Sequence, residues 1–89
     1  MIEKTVTVAS RVGLHARPAR VFAQAAAASG HQVTLASSGG RTVNAASILG
    51  VLSLGIVHGE EVTVASEDSD AQGAIDSLAE LLLQDLEGE

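Results

Sequence analysis

An alternation of polar and apolar residues in three short stretches limits the fold of this chain more than any other feature. Residues 5–8, 32–36 and 61–65 each alternate, with valine or leucine at the apolar positions and mostly threonine at the polar ones. A period of two is typical of a strand that is buried on one face and meets water on the other. Residues 37–40, Ser-Ser-Gly-Gly, favour a turn, so residues 41–43 are predicted to return as a short strand of a hairpin. We therefore expect a four-stranded antiparallel sheet with one polar face.

Three helices are predicted around these strands. Residues 16–29 are rich in alanine and carry apolar side chains at core spacing, and Gly30 suits the left-handed end of a helix. Residues 47–53 predict a short helix that contains Gly50 and must be held by packing. The third helix follows an S-x-x-Q capping box that starts at Ser69. The predicted core positions are, in the first helix, Ala19, Phe22, Ala23 and Ala26 and, in the third helix, Ile75, Leu78, Leu82 and Leu86.

The order of these elements, β-α-β-β-α-β-α, predicts an α+β fold: an open-faced β-sandwich, in which three helices cover one face of a four-stranded antiparallel sheet. The 89 residues make a single domain, residues 1–89, and a hydrophobic content of 46% is enough for a core. The absence of cysteine excludes a disulfide framework and a thiolate metal site. Residues 1–6 do not resemble a signal peptide, and the longest apolar stretch, residues 48–57, is too short to cross a bilayer. We therefore expect a cytoplasmic protein with no membrane segment.

Charge is divided unevenly along the chain. The formal net charge of −6 argues against binding to nucleic acid. Residues 1–59 contain all five basic residues and one acid, a charge of +4, whereas residues 60–89 contain ten acids and no base, a charge of −10. Arg11, Arg17 and Arg20 belong to the positive part and are expected to attract anionic substrates or acidic partner surfaces. The acidic end is also explained by a solvated helix face.

The stretch at residues 13–19, Gly-Leu-His-Ala-Arg-Pro-Ala, places a histidine at the start of the first predicted helix. Pro18 suits the first turn, because its φ is fixed and its missing N–H is not needed there. His15 therefore stands beside the free N–H groups of Ala16 and Arg17, which suit an anion. The Arg17 side chain adds donors that match phosphate oxygens. Taken singly, these residues are also explained as a cap or surface histidine, a solvated charge and a helix starter; together they indicate a transiently phosphorylated histidine.

This stretch resembles the active-site signature of the HPr family, the histidine-containing phosphocarriers of the bacterial phosphoenolpyruvate:sugar phosphotransferase system. Residues 44–55, Asn-Ala-Ala-Ser-Ile-Leu-Gly-Val-Leu-Ser-Leu-Gly, resemble the second signature of that family, around its short middle helix. The length of the chain and the order of its segments fit as well, so the similarity runs from end to end. The resemblance implies the open-faced sandwich predicted above. It also implies a carrier protein that is not an enzyme, has no turnover of its own and needs no cofactor.

The resemblance further implies a role for each residue of the first signature. His15 would accept a phosphoryl group from a phosphohistidine of Enzyme I and pass it to the A component of a sugar permease. The group would sit on the ring Nδ1, above the backbone N–H groups of Ala16 and Arg17. The Arg17 guanidinium would neutralise its charge, and Pro18 would start the helix without contributing a donor.

The middle helix carries five apolar residues, of which Val51 and Leu54 suit the core side. The resemblance implies that the other three dock onto Enzyme I and the permease components together with an arginine of the first helix; these docking residues are Arg20, Ile48, Leu49 and Leu52. The alternative is that all five apolar residues belong to the core.

Ser47 opens the middle helix and has two candidate roles. Serine is a preferred N-cap residue. In low-GC Gram-positive members of the family the serine at this position is phosphorylated by an ATP-dependent kinase and serves catabolite control. The resemblance therefore adds a serine kinase/phosphorylase and a transcriptional regulator to the candidate partners. One extra residue separates Ser47 from His15 compared with those members, and we place it in the turn at residues 37–40. Ala45 and Ala46 provide no basic side chain before the serine, which favours the cap.

Two other functions stay open at this point. A regulatory paralogue of the same family, serving nitrogen control or one dedicated permease, would carry the same signatures. Residues 76–78, Asp-Ser-Leu, are the tripeptide that carries phosphopantetheine in acyl carrier proteins, although those proteins are all-helical and this chain has four strand patterns. His31 and His58 are predicted to be surface residues, and no metal site is expected. We expect a monomer.

Overall fold

All seven predicted elements form, in the predicted order. The structure is a computed structural model that describes residues 1–8 and 16–83. The loop predicted at residues 10–13 and the predicted core position Leu86 lie outside these residues. Helix α1 ends two residues before Gly30, whose φ of +78° is the left-handed conformation predicted for it. The strands are β1 (Ile2–Thr7), β2 (Val33–Ala36), β3 (Thr42–Asn44) and β4 (Glu61–Ser66), and the helices are α1 (Ala16–Ala28), α2 (Ile48–Ser53) and α3 (Gln72–Leu83).

The four strands make one antiparallel sheet in the order β1-β4-β2-β3. The central strand β4 pairs with all of β1 on one side and with β2 on the other. The predicted hairpin is confirmed, because β2 and β3 are antiparallel neighbours. The prediction that the first strand starts at Thr5 is wrong: β1 begins at Ile2, which pairs with Ser66. Strand β4 is long enough to pair with Ile2, Glu3 and Lys4 as well. These three residues therefore extend β1, because their backbone polar groups find hydrogen-bond partners there.

The helices cover one face of the sheet, so the predicted open-faced sandwich is confirmed. Phe22, the single aromatic residue, is fully buried on α1. On the polar face of the sheet, the Oγ1 atoms of Thr5 and Thr63 lie 2.9 Å apart. The core positions predicted on the helices are all buried where the structure describes them: Ala19, Phe22, Ala23, Ala26, Ile75, Leu78 and Leu82.

The capping box predicted at Ser69 is wrong. Helix α3 begins at Gln72, and Ser69 lies in a turn in which the Ala71 N–H donates to the carbonyl of Asp68 at 3.2 Å. The Gln72 side chain does not reach back toward Ser69; its Nε2 donates to Oδ1 of Asp76 at 3.0 Å. The S-x-x-Q pattern therefore marks the approach to the helix and not its first turn.

The prediction that His31 is a surface residue holds only in part, because its side chain is 21% exposed and half-buried. Its Nδ1 lies 3.1 Å from Oδ2 of Asp68 and 3.7 Å from Oδ1 of Asp70. The Gln32 N–H donates to the same Asp68 oxygen at 3.4 Å, so this cluster joins the start of β2 to the turn before α3. His58, in contrast, is exposed as predicted.

Candidate functional site

The first turn of α1 is the described part of the predicted phosphate site. The helix begins at Ala16, directly after His15 in the chain. The N–H groups of Ala16 and Arg17 therefore lie where no carbonyl of the helix accepts them. Pro18, the third residue of the helix, is buried and brings no N–H, and the first turn contains no acidic residue that would oppose an anion. His15 itself lies outside the described residues, so its phosphorylation stays a prediction.

Two arginines lie on the exposed side of α1. Arg17 and Arg20 are exposed, whereas Phe22 of the same helix is buried. Within residues 1–8 and 16–83 neither arginine takes part in an ion pair, although Lys4 does so, with Nζ 3.6 Å from Oδ1 of Asp76. An exposed guanidinium can donate hydrogen bonds to the oxygens of a phosphate or of a carboxylate.

Helix α2 packs beside α1 and divides its apolar side chains between the core and the solvent. Ile48 and Leu49 are 38% and 80% exposed, as a docking surface requires, and Val51 is fully buried, as predicted. Leu52 and Leu54 are half-buried and pack against the core. The alternative in which all five apolar residues belong to the core is therefore wrong for Ile48 and Leu49. Leu52 is largely a core residue with one exposed edge.

Ser47 is the N-cap of α2, as predicted. Its backbone is extended, with φ −97° and ψ 112°, and its Oγ accepts the Gly50 N–H at 3.0 Å. Gly50 has a steric reason to be inside a helix. An added Cβ would lie 3.2 Å from Oγ of Ser47 and 3.3 Å from Cβ of Val43, closer than most Cβ atoms approach a neighbour. The Ser47 cap and the close approach of Gly50 to Val43 of β3 together fix the start of α2.

Two charged residues, Glu60 and Arg41, make side-chain hydrogen bonds that no sequence pattern predicted. The Glu60 carboxylate accepts hydrogen bonds from Ser38, and these bonds, the one from the Ser38 hydroxyl most of all, lower the pKa of Glu60 below its usual value. Nη1 of Arg41 donates to the carbonyl of Ser53, the last residue of α2, at 3.1 Å. Since the partners are 22 and 12 residues apart, no local spacing in the sequence could have indicated either contact.

The family of the chain follows from comparison with known proteins. The family model PTS-HPr, described as the PTS HPr component phosphorylation site, matches residues 2–84. The chain belongs to the HPr family. The phosphocarrier protein HPr of Streptomyces coelicolor is 48% identical to it over 87 residues, which cover 98% of this chain and 94% of that protein.

Solved structures of the HPr family share its architecture. HPr-C-His from Thermoanaerobacter tengcongensis superimposes with a TM-score of 0.88 at 37% identity, and the match covers 100% of this chain and 98% of the other. Crh, the Bacillus subtilis catabolite repression HPr, matches with a TM-score of 0.70 at 36% identity and covers 96% of this chain and 100% of its own. The four-stranded antiparallel sheet with three helices is therefore the HPr fold.

The HPr fold removes the acyl carrier alternative, which requires an all-helical protein. Ser77 is an exposed residue within α3, and its neighbour Leu78 is buried in the core. Among residues 1–8 and 16–83, no three His, Cys, Asp or Glu side chains come together in a way that could hold a metal ion. In the same part of the chain, no helix is long and apolar enough to cross a membrane.

Proposed function

We propose that this chain accepts a phosphoryl group on His15 from phosphorylated Enzyme I and passes it to the A components of sugar permeases. The observation that carries this proposal is the start of α1 immediately after His15, in a chain that matches the HPr phosphorylation-site model over residues 2–84. A helix start offers the phosphoryl group backbone donors and the positive end of a dipole without any metal.

The residues around this helix start supply what phosphoryl transfer needs, which is alignment and neutralisation of charge. The N–H groups of Ala16 and Arg17 hold the phosphoryl oxygens, and the exposed Arg17 guanidinium approaches them from solvent. Pro18 contributes no donor, so the site binds the group with few hydrogen bonds. Modest binding suits a carrier, because tight binding of the phosphorylated state would prevent onward transfer.

Docking in this proposal uses the two neighbouring helices. Ile48 and Leu49 present an apolar centre on α2, with the edge of Leu52 beside them, and Arg20 adds positive charge on α1. An apolar centre with a charged rim is typical of transient protein interfaces. We further propose that the chain is a cytoplasmic monomer that acts as a carrier without turnover or cofactor.

The proposal is tested by incubating the chain with purified Enzyme I and radiolabelled phosphoenolpyruvate. We expect the wild-type chain to take up one acid-labile phosphoryl group and His15→Ala to take up none. The variant should keep its fold, because a residue before a helix contributes little to the core. His58→Ala is the matched control, since it removes an exposed histidine elsewhere. Labelling of His15→Ala, or an unlabelled wild-type chain, would disprove the assignment.

A second role is proposed for Ser47, as a site of regulatory phosphorylation by a serine kinase/phosphorylase that changes binding to a transcriptional regulator. Its position at the start of α2, next to the exposed Ile48, and the similarity to a catabolite repression HPr support this role. Incubation with such a kinase and ATP should label the wild-type chain and not Ser47→Ala. A chain that is phosphorylated on Ser47 but never charged by Enzyme I would instead be a regulatory paralogue.

A further inference from the structure

The Glu60 carboxylate holds two turns together at one end of the strands of the sheet. Its Oε2 accepts the hydroxyl of Ser38 at 2.9 Å and the Ser38 N–H at 3.2 Å. Its Oε1 accepts the N–H of Val57 at 3.2 Å. Both oxygens are therefore engaged, one by the turn between β2 and β3 and the other by the turn that leads into β4.

The backbone beside this carboxylate fixes the end of β1. The N–H of Val8 donates to the carbonyl of Glu60 at 3.0 Å, and the N–H of Gly59 donates to the carbonyl of Val8 at 3.0 Å. Gly59 can complete this tight turn because it adopts a φ of +85°, which favours glycine. Val8 is the last described residue before the segment that ends at His15. The turn at Glu60 therefore fixes the position of the residue from which this segment starts.

The turn that Glu60 holds is also tied to the docking helix. The N–H of Ser37 donates to the carbonyl of Arg41 at 2.9 Å, which closes the turn, and the Arg41 side chain reaches the end of α2 at Ser53. A continuous set of contacts thus runs from Val8 through Glu60 and the turn to α2. It connects the strand end that precedes His15 with the helix that presents Ile48 and Leu49.

We propose that Glu60 is a positioning residue for phosphoryl transfer: its carboxylate, bound to Ser38 and Val57, fixes the end of β1 from which the chain continues toward His15. This inference rests on the proposed function. Glu60 acts through the backbone of Val8 and does not touch the reacting groups. A carboxylate suits this task, because it accepts at both oxygens, whereas an amide has a single acceptor oxygen.

The test compares Glu60→Gln and Ser38→Ala with a matched control, Glu61→Gln. Glu60→Gln keeps the size of the side chain and loses at least one of its contacts, and Ser38→Ala removes only the hydroxyl that lies 2.9 Å away. Glu61→Gln removes the same charge from the next residue, which is exposed and makes no side-chain hydrogen bond within the described part of the chain. Circular dichroism first selects a temperature at which all four proteins are folded.

Two readouts separate positioning from stability. The first is single-turnover transfer from phosphorylated Enzyme I at several concentrations of the chain. We expect the maximal rate to fall about three- to tenfold in Glu60→Gln and Ser38→Ala, less than the hundredfold that a 1 Å misplacement can cause, with the half-saturating concentration changed by less than about twofold. The second readout is the lifetime of phosphohistidine at His15 after chemical phosphorylation with phosphoramidate, followed by NMR. We expect the lifetime to change in the same two variants and not in Glu61→Gln.

The outcomes are distinct. A lower melting temperature with a wild-type maximal rate and a wild-type lifetime would show that Glu60 only stabilises the turns, and it would overturn the inference. Equal effects in Glu60→Gln and Glu61→Gln would also overturn it, since loss of charge alone would then explain the change. If Enzyme I does not charge the wild-type chain, the proposed function fails, while the lifetimes after phosphoramidate treatment still decide the role of Glu60.

Discussion

Replacing Ser47 by aspartate, asparagine and alanine separates its role as a cap from its role in docking. The Ser47 hydroxyl satisfies the Gly50 N–H at 3.0 Å, and within residues 1–8 and 16–83 no other side chain accepts an N–H of the first turn of α2. Loss of such a cap costs about 1 kcal/mol, so Ser47→Ala should lower the melting temperature by about 4–8 °C. Asparagine and aspartate cap as well as serine, so both variants should stay within about 0.5 kcal/mol of the wild type. The aspartate also carries a negative charge at the positive end of the helix, which favours the fold slightly.

The same three variants have different consequences for charging by Enzyme I. The aspartate places one negative charge next to the exposed Ile48 and Leu49. Facing an acidic partner group at about 10 Å, this charge costs about 1 kcal/mol, which corresponds to a roughly fivefold higher half-saturating concentration of the chain in transfer. Ser47→Asn is expected to transfer at the wild-type rate. Ser77→Asp is the matched control, because it adds the same charge on the exposed side of α3.

The assay is rapid-quench transfer from phosphorylated Enzyme I, repeated at two salt concentrations, together with thermal unfolding of each variant. Added salt should reduce the effect of the aspartate, since exposed charges are screened. If Ser47→Asp is charged as fast as the wild type, Ser47 lies outside the docking surface and only its role as a cap holds. Slower charging of Ser47→Asn would show that the geometry of the cap, and not the charge, is responsible.

The other predictions concern Arg17, two glycines and Glu60. Arg17→Ala should stay folded and transfer about three- to tenfold more slowly, because a charge-assisted contact to the phosphoryl group is lost; unchanged kinetics with Enzyme I and a permease component would reduce Arg17 to a surface charge. Gly73→Ala should raise the free energy of unfolding by about 0.5 kcal/mol in urea titrations, since no atom lies within 4 Å of the added Cβ. Gly50→Ala should not raise it, because the added Cβ would press on Val43. Equal increases in the two variants would refute this contact. The hydrogen bonds that lower the pKa of Glu60 stabilise the fold above the ordinary carboxyl pKa of 4.5, and this stability is lost as the pH falls through the lowered value. Glu60→Gln should therefore be less stable than the wild type at pH 7 and equally stable at strongly acid pH, and a pH-independent difference would contradict the assignment.

Most of the fold is readable from the sequence because the decisive signals are local. Helix α1 repeats small apolar residues with a helical period, and Ala19 and Phe22 are buried as that period requires. The alternation in β2 and β4 predicts their polar and apolar faces in the same way. The candidate site is readable for a related reason, since residues 13–19 and 44–55 are contiguous motifs.

Apart from the error at Ser69, which comes from a local turn, the errors and omissions depend on contacts between distant parts of the chain. His31 looks like an exposed residue beside a glycine, but it is half-buried against Asp68, 37 residues away. Ser69 has the right spacing for a cap, yet the turn at Asp68 delays the helix to Gln72. Glu60 gives no signal at all, because Ser38 becomes its partner only after the hairpin has been placed beside β4.

The pairing of β1 with β4 has a consequence for the order in which the chain can fold. The partners in this pair are 54 to 64 residues apart, whereas those in the β2–β3 hairpin are 6 to 10 residues apart. On a ribosome that adds about 5–20 residues per second, β1 therefore waits roughly 3–12 s for its partner strand β4. The β2–β3 hairpin can close early. Strand β4 then pairs with β1 on one side and with β2 on the other, and so joins β1 and the hairpin into one sheet. This long-range step is expected to limit the folding rate, and about three quarters of the chain must be synthesised before it can begin.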